Sequence, residues 1–470
     1  MNQTQVPDSA TSELERLDRA DVLHGFAAPY AQATNEAVVI REAQGLRVVD
    51  ERGREFLDGG GGLWCMNVGY GRASIVAAAA AQMTKLPYFH TFGNFSNEPM
   101  IRLSERLLKI APPGMARVVF ASSGSEANDT QIKIIRRYNN LLGRPAKKKI
   151  IARLSSYHGS TVASGSLSGL PMMHRTFDLP IPGILHTLAA DYHRRPTGID
   201  TPEAYTRHLV DDLVQMIEKE GPDTIAAFIA EPVTGTGGVL VPPPGYFAAI
   251  RQILDHYDIL MVADEVITGF GRTGSWFASP GLDIKPDLMS IAKGLTSGYF
   301  PMSGCLLSSK VANALYADKS ADAMFAHGFT WSGHPVGAAV AHANLDIMEA
   351  EDLPGNAATV GAYLLSRLRH AFADHPLIGE IRGRGLLIGI ELDGDRSTRR
   401  PFADTHLVGS FLSRACFEER LLVRGGHGRV LAALAPPLLA TKADADEIVA
   451  RLGRAFGRVA ENLKAAGLSA

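Results

Sequence analysis

The sequence predicts an α/β protein: a largely parallel sheet wrapped by crossover helices, followed by a smaller α+β unit. Three observations carry this. Through the middle of the chain, short aliphatic and β-branched runs alternate with helix-length stretches. Most of those runs are apolar throughout, as expected of strands covered on both faces. After about residue 343 the rhythm changes to long helices and a glycine-interrupted strand pair.

Taken in order, the residues up to about Arg19 are polar and are expected to be loosely ordered. Strands are predicted at Arg117 to Ala121, Lys149 to Leu154, Ile225 to Ala230, Ile259 to Ala263 and Asp287 to Ala292. Helices are predicted at Ala127 to Leu142, Ala204 to Glu220 and Tyr246 to Tyr257. The triplet Lys147-Lys148-Lys149 reads as a solvated loop ahead of a strand. In the last part come a helix at Ala357 to Phe372 and the strand pair in IGEIRGRGLLIGIEL. A helix near His406 to Glu419, a strand at Leu421 to Arg424 and a terminal helix from Ala443 follow. No repeat of solenoid length is visible.

The 470 residues exceed what one core usually organises, so two substructures are expected. With a net charge of -2 and both signs interspersed, neither a nucleic acid nor a membrane surface is expected as a partner. The three cysteines, Cys65, Cys305 and Cys416, form no CxxC pair, which argues for a reducing compartment. The polar start has no apolar core of a secretory signal, and the run Ile75 to Ala81 is too short to span a bilayer. The histidines show no metal-ligand spacing. A cytoplasmic, metal-free protein is expected.

Three segments carry chemistry. In VVFASSGSEANDT, Ser123, Gly124 and Ser125 end a strand and open a helix. Free N–H groups and the positive end of the helix dipole suit a phosphate there. Ser-Gly-Ser before a helix is equally an ordinary N-cap. In ILMVADEVITGFGRTG, Asp264 and Glu265 end an apolar strand, where ligands of parallel sheets bind. A carboxylate in so dry a place needs a positive partner, either a structural ion pair or a protonated ligand nitrogen. In PDLMSIAKGLTSG, Lys293 ends another apolar strand. Burial lowers a lysine's pKa and makes it a nucleophile for an aldehyde, although a lysine reaching from a strand end to water would look the same.

Phosphate cradle, strand-end Asp and strand-end Lys, in that order, resemble the fold-type-I enzymes dependent on pyridoxal 5'-phosphate (PLP). In detail the chain resembles the class III aminotransferases from about His24 onward. The pieces are LDGGGGLWCMNVGYGR, SSGSEAND, SSYHGST, AEPVTGTGG, DEVITGFGRTG, the AKGL lysine and GFTWSGHPVG. Trp64, Tyr157-His158-Gly159 and LLVR are similar to the ω-amino-acid or amine:pyruvate branch. The resemblance implies a large domain over 71–343, with a mixed, mostly parallel seven-stranded sheet between helices. A small α+β domain over 344–470 would be joined by an N-terminal segment, 1–70.

It also implies roles. Lys293 would form the internal aldimine and carry the proton between substrate and cofactor, with Asp264 paired to the pyridinium nitrogen. Val266 and Tyr157 would cover the two ring faces. Ser123, Gly124 and Ser125 would hold the phosphate, with His158 beside the cofactor and Glu231 near its 3′-oxygen. Thr330 matches a residue that reaches the phosphate from the neighbouring subunit, so a homodimer, which could pair into a tetramer, is implied. Phe26, Trp64 and Phe92 match aromatic pocket positions, and Arg424 a mobile carboxylate-binding arginine. Thr236 stands where relatives often carry a small apolar residue. The implied activity is amino transfer from an ω-amino acid or amine to a keto acid, pyruvate above all, with S preference. A decarboxylase or aminomutase of the same fold, or a non-catalytic PLP-binding protein, would share these residues. A dinucleotide oxidoreductase, prompted by Gly59 to Gly62, lacks the strand-GxGxxG-helix setting.

Overall fold

The computed structural model describes residues 11–468. Three short strands come first: β1 (Ile40–Gln44), β2 (Arg47–Asp50) and β3 (Glu55–Asp58). The next four are β4 (Met115–Ala121), β5 (Lys149–Arg153), β6 (Ile184–Thr187) and β7 (Ile225–Ala230). Then come β8 (Leu260–Asp264), β9 (Leu288–Ile291) and β10 (Ser303–Ser308). Strands β4 to β10 form one seven-stranded sheet in the order β4-β10-β9-β8-β7-β5-β6. From β9 across to β6 every pairing is parallel, and β10 alone runs against its neighbours. The sheet is therefore mixed and mostly parallel, and the carboxyl ends of β4, β5, β7, β8 and β9 share one edge.

Strands β7 to β10 are buried at every residue, which explains their unbroken apolar character where it occurs. Helices Gly124–Leu141, Pro202–Glu220 and Tyr246–His256 provide crossovers between strands. The chain closes with β11 (Ile378–Arg384), β12 (Leu387–Leu392), β13 (Leu421–Leu422) and β14 (Val430–Leu434). Strands β11, β12 and β14 make an antiparallel sheet. Strand β13 instead pairs in parallel with β3, so the N-terminal strands and the last part of the chain share a four-stranded sheet.

Four expectations change. Strands β6 and β10 were not predicted: β6 is only four residues, and β10 reads Ser-Gly-Cys-Leu-Leu-Ser, without a β-branched residue. Strand status there comes from the neighbouring ladders. The predicted strand Leu421 to Arg424 pairs only to Leu422, and Arg424 rejoins through an isolated bridge to Ala433. Glu13–Asp21 is a helix, where loose order was expected up to Arg19; residues 1–10 of that stretch lie outside those described. Its N-cap is Ser12, and its buried Glu15 is paired with Arg52 and Arg19. The lysine triplet is no solvated loop. The Lys147 and Lys148 ammoniums donate to the carbonyls of Tyr257 (2.8 Å) and Arg136 (3.0 Å), and Lys149 opens β5 and pairs with Glu220 at 2.9 Å.

A buried ion network ties the flank of the large sheet to the small one. Glu391 on β12 meets Arg194 (2.6 Å), Arg382 on β11 (2.6 Å) and Arg429 (2.9 Å). Arg429 also reaches Asp191 at 3.0 Å, and Arg382 donates to the Gly238 carbonyl. Burial alone would raise the pKa of Glu391, but the three guanidiniums hold it well below the ordinary carboxylate range. Removing one partner from a buried network leaves uncompensated charge. Glu391→Leu is expected to cost about 3–5 kcal/mol in urea unfolding at neutral pH. The wild-type contribution is present above the unfolded-state value near 4.3 and is lost as pH falls through the depressed folded value.

Candidate active site

The shared carboxyl edge of the sheet gathers the chemistry. Asp264 is the last residue of β8, Glu231 follows β7, and Lys293 lies two residues beyond β9. Tyr157, His158 and Gly159 come from the loop after β5, while Gly124 and Ser125 start the helix after β4. Together with Asn128, Val266, Ile267 and Ala292 they line one cavity. Its walls are close: a Cβ on Gly124 would come within 3.2 Å of both Val266 methyls.

Lys293 sits in the left-handed region, at φ 45°. That conformation costs a non-glycine residue on the order of 1–3 kcal/mol. Its Nζ has no hydrogen bond or ion pair among the described residues, and lies 5.7 Å from the centre of the Trp64 ring. Burial lowers the amine to about 8, even though Cys65, Asp264 and Glu231 pull the other way. The Asp264 carboxylate, by contrast, is well supplied. Its Oδ2 accepts from Asn128 Nδ2 at 2.9 Å and lies 2.8 Å from His158 Nδ1, and its Oδ1 accepts from the Val266 N–H at 3.1 Å. Burial pushes Glu231 up, against the N–H groups of Gly235 and Tyr157 that bind its two oxygens. Glu265, next to Asp264, is turned away and satisfied by Thr268, Ala278 and Ser279.

A second cavity shares Tyr157 and Lys293 with the first. Phe26, Leu63, Trp64, Thr236, Arg424, Gly425 and His427 complete it. The Gly59 to Gly62 run has its explanation here. Asp58 accepts from the N–H groups of Gly60 and Gly62, and from the Tyr70 hydroxyl at 2.8 Å. Gly61, at φ 56°, passes so close to the Ala435 carbonyl that a Cβ would lie 2.4 Å away. The run is a tight turn that delivers Leu63 and Trp64 to the cavity, with no dinucleotide-binding helix after it. Arg424 stands at the mouth, its guanidinium without an ion pair among the described residues, and burial lowers its pKa. Burial, reinforced by Arg424, also lowers that of His427.

Of the sequence-predicted residues, three lie outside both cavities. Ser123 is the helix N-cap: its Oγ accepts from the Glu126 N–H, and the Glu126 carboxylate answers at the Ser122 and Ser123 N–H groups. Phe92 and Thr330 lie elsewhere, on one surface. Tyr88 donates to the Thr330 carbonyl at 2.9 Å, and Gly328 packs on the Phe92 ring. Sequence reasoning missed Asn128 and His427 as cavity residues. Asn128 lies inside the SEAND motif already singled out, and His427 three residues beyond Arg424. The geometry yields a prediction for Lys293. Reductive trapping of a small aldehyde on cofactor-free protein, followed by peptide mass spectrometry, should show Lys293 labelling rise with a midpoint near 8. Exposed lysines should follow their ordinary value of about 10.4.

Comparison with known proteins agrees with this arrangement. The family model "Aminotransferase class-III" matches residues 29–456. The diaminobutyrate–2-oxoglutarate transaminase of Halomonas elongata is 48% identical over 431 residues, covering 91% of this chain and 92% of that protein. The chloroplastic gamma aminobutyrate transaminase 3 of Solanum lycopersicum is 42% identical, covering 96% and 86%. The crystal structure of the omega transaminase from Pseudomonas jessenii in complex with PMP superposes with a TM-score of 0.94 at 40% identity, covering 96% of this chain and 99% of that one. A family match over most of the chain places the protein among the class III aminotransferases, PLP-dependent enzymes of fold type I.

Proposed function

We propose that this aminotransferase takes an amino group from an ω-amino acid or amine and delivers it to pyruvate in a ping-pong cycle. The observation that carries the reading is the unpartnered, burial-weakened amine of Lys293, standing between the Asp264 cavity and a pocket with a single guanidinium. The residues fit the cofactor. Gly124 and Ser125 offer helix N-terminal N–H groups to a phosphate, and the narrow gap at Gly124 would close with any side chain. Val266, Tyr157 and Glu231 line the cavity that would take the ring.

When bound, PLP supplies an electron sink for the pair released as the substrate Cα–H bond breaks. The chain's own residues do the rest. Lys293 would hold the cofactor by its Nζ, and the same amine, when free, would take the proton from the substrate carbon and return it. An amine near 8 is partly unprotonated at neutral pH, as that task requires. Asp264 would keep a proton on the cofactor's ring nitrogen. The buried Trp64 would exclude water around the reacting carbon, with the exposed Phe26 at the pocket's rim, while Arg424 would pair with a substrate carboxylate or swing aside when none is present.

The acceptor follows from charge. Among the described residues lining the outer pocket, Arg424 is the one free guanidinium, and His427 is pushed toward neutrality. One paired carboxylate suits pyruvate better than a dicarboxylate. The donor reading is supported by relatives named for diaminobutyrate and gamma-aminobutyrate and by a neighbour named an omega transaminase. A homodimer is supported by the surface around Thr330 and Phe92. Phe89, Phe92, Phe95 and Trp331 are exposed there, a cluster of apolar side chains that a second copy would cover. Sedimentation should give twice the chain mass.

The test is spectroscopic. Holoenzyme mixed with donors and no acceptor should pass to the pyridoxamine form with β-alanine, 4-aminobutyrate or 1-phenylethylamine, and pyruvate should restore it faster than 2-oxoglutarate. Loss of carbon dioxide instead, or faster recovery with 2-oxoglutarate, would reject the reaction or the acceptor respectively. Arg424→Ala should raise KM for carboxylate substrates about 10–100-fold, the worth of a charge-assisted pair, and spare amines that lack a carboxylate.

A further inference from the structure

Asp264 ends a chain of buried side chains whose other members have no role in the reaction described above. Asn128, Gln131, His158, Asp264 and Ser290 are each at most 3% exposed. Gln131 Nε2 donates to Ser290 Oγ at 2.5 Å, and Ser290 Oγ donates to Asn128 Oδ1 at 2.5 Å. Asn128 Nδ2 then donates to the His158 carbonyl at 2.6 Å and to Asp264 Oδ2 at 2.9 Å. We propose that Gln131, Ser290 and Asn128 form a one-way relay that positions Asp264 and leaves one open acceptor site, on Oδ1, for the cofactor's ring nitrogen. The proposal rests on the role given to Asp264 above.

Direction is forced rather than chosen. Asn128 faces two acceptors, a carbonyl and a carboxylate, so its NH₂ must point at them and its oxygen at Ser290. Ser290 has one proton, which the Asn128 oxygen takes. Gln131 must therefore offer its amide nitrogen, and its Oε1 is left buried with no partner among the described residues. Leaving an acceptor orphaned is the expected mark of a network whose polarity is set at its far end. The far end is Asp264.

Counting lone pairs gives the consequence. An ionised carboxylate has about four acceptor positions. Asn128 and His158 fill both on Oδ2, and the Val266 N–H fills one on Oδ1. A carboxylate so tied cannot rotate to present Oδ2 instead. The fold builds the relay cheaply. Asn128 and Gln131 are three apart on one helix, hence on one face. Ser290 lies directly opposite Asp264 in the β8–β9 ladder.

Single-atom deletion tests this. In Ser290→Ala holoenzyme the Asn128 amide is free to turn, Asp264 is free to rotate its Oδ1 away from the ring nitrogen, and that nitrogen, without an aligned carboxylate, holds its proton less well. A positive charge near the lysine-linked chromophore is then lost, so that chromophore keeps its own proton to higher pH. Its titration midpoint, read from the visible band, should rise by about one unit, the scale of one lost charge-assisted hydrogen bond. The donor half-reaction should slow about 10-fold at saturation with little change in KM. Asn128→Ala should do the same, and Ser290→Thr, which keeps the hydroxyl, should restore both readings. The other charged or titratable groups around the cavities, Tyr157, His158, Glu231, Lys293, Cys65, Arg424 and His427, are unchanged in all three variants. A Ser290→Ala enzyme with wild-type midpoint and rate would overturn the relay, and so would equal loss in Ser290→Ala and Ser290→Thr. The band titration needs no donor. A wild type that binds PLP but answers no amine would therefore sink the transaminase reading and leave the relay testable.

Discussion

Asp264 ends strand β8 as a carboxylate almost cut off from water, and a charge in that position is tolerable only if donors surround it. Much of the large sheet's carboxyl edge meets that requirement. The helix after β4 sends Asn128, the loop after β5 sends His158, the turn after β8 sends the Val266 N–H, and β9 sends Ser290 behind Asn128. A parallel sheet makes this possible because its strand ends open on one side. Lys293 arrives on the same edge, held in a left-handed conformation that the packing around it must maintain. The acid has been given partners and the amine has been left without, and that contrast is what the chemistry needs.

The outer pocket depends on a different joint. Strands β3 and β13 pair in parallel, so their ends leave the four-stranded sheet together. One leads through the glycine turn to Trp64, the other to Arg424, so two walls of the pocket come from segments hundreds of residues apart. Beyond Arg424 the chain runs through Gly425, Gly426, His427 and Gly428 to Arg429, which the Glu391 network anchors. Arg424 is itself pinned by its backbone bridge to Ala433, and the glycine-rich span begins directly after it.

Legibility in the sequence follows from where each signal lives. Ile225 to Ala230 was readable because a doubly covered parallel strand carries its burial in its own side chains. Strand β10 was not, since its pairing with β4 and β9 makes a strand of Ser-Gly-Cys-Leu-Leu-Ser. Lys293, Asp264 and the SEAND helix start stood out as charged or small residues at the ends of apolar runs. Asn128 and Gln131 did not, because two amides on a helix look like a wet face until β8 and β9 cover them. The lysine triplet misled for the same reason: two of its charges go to backbone carbonyls, and no local pattern marks those. Phe92 was matched to the substrate pocket and Thr330 to the phosphate of a neighbouring subunit; both lie on an exposed surface outside this chain's two cavities, which no local pattern marks.

The central claim is that Lys293 is the residue that binds the cofactor, and chemical trapping reaches it most directly. Holoenzyme reduced with borohydride and digested should yield one phosphopyridoxyl-labelled peptide, the one containing Ala292-Lys293-Gly294. Label on another lysine, or a reduced protein that releases all its cofactor unlabelled, would contradict the account.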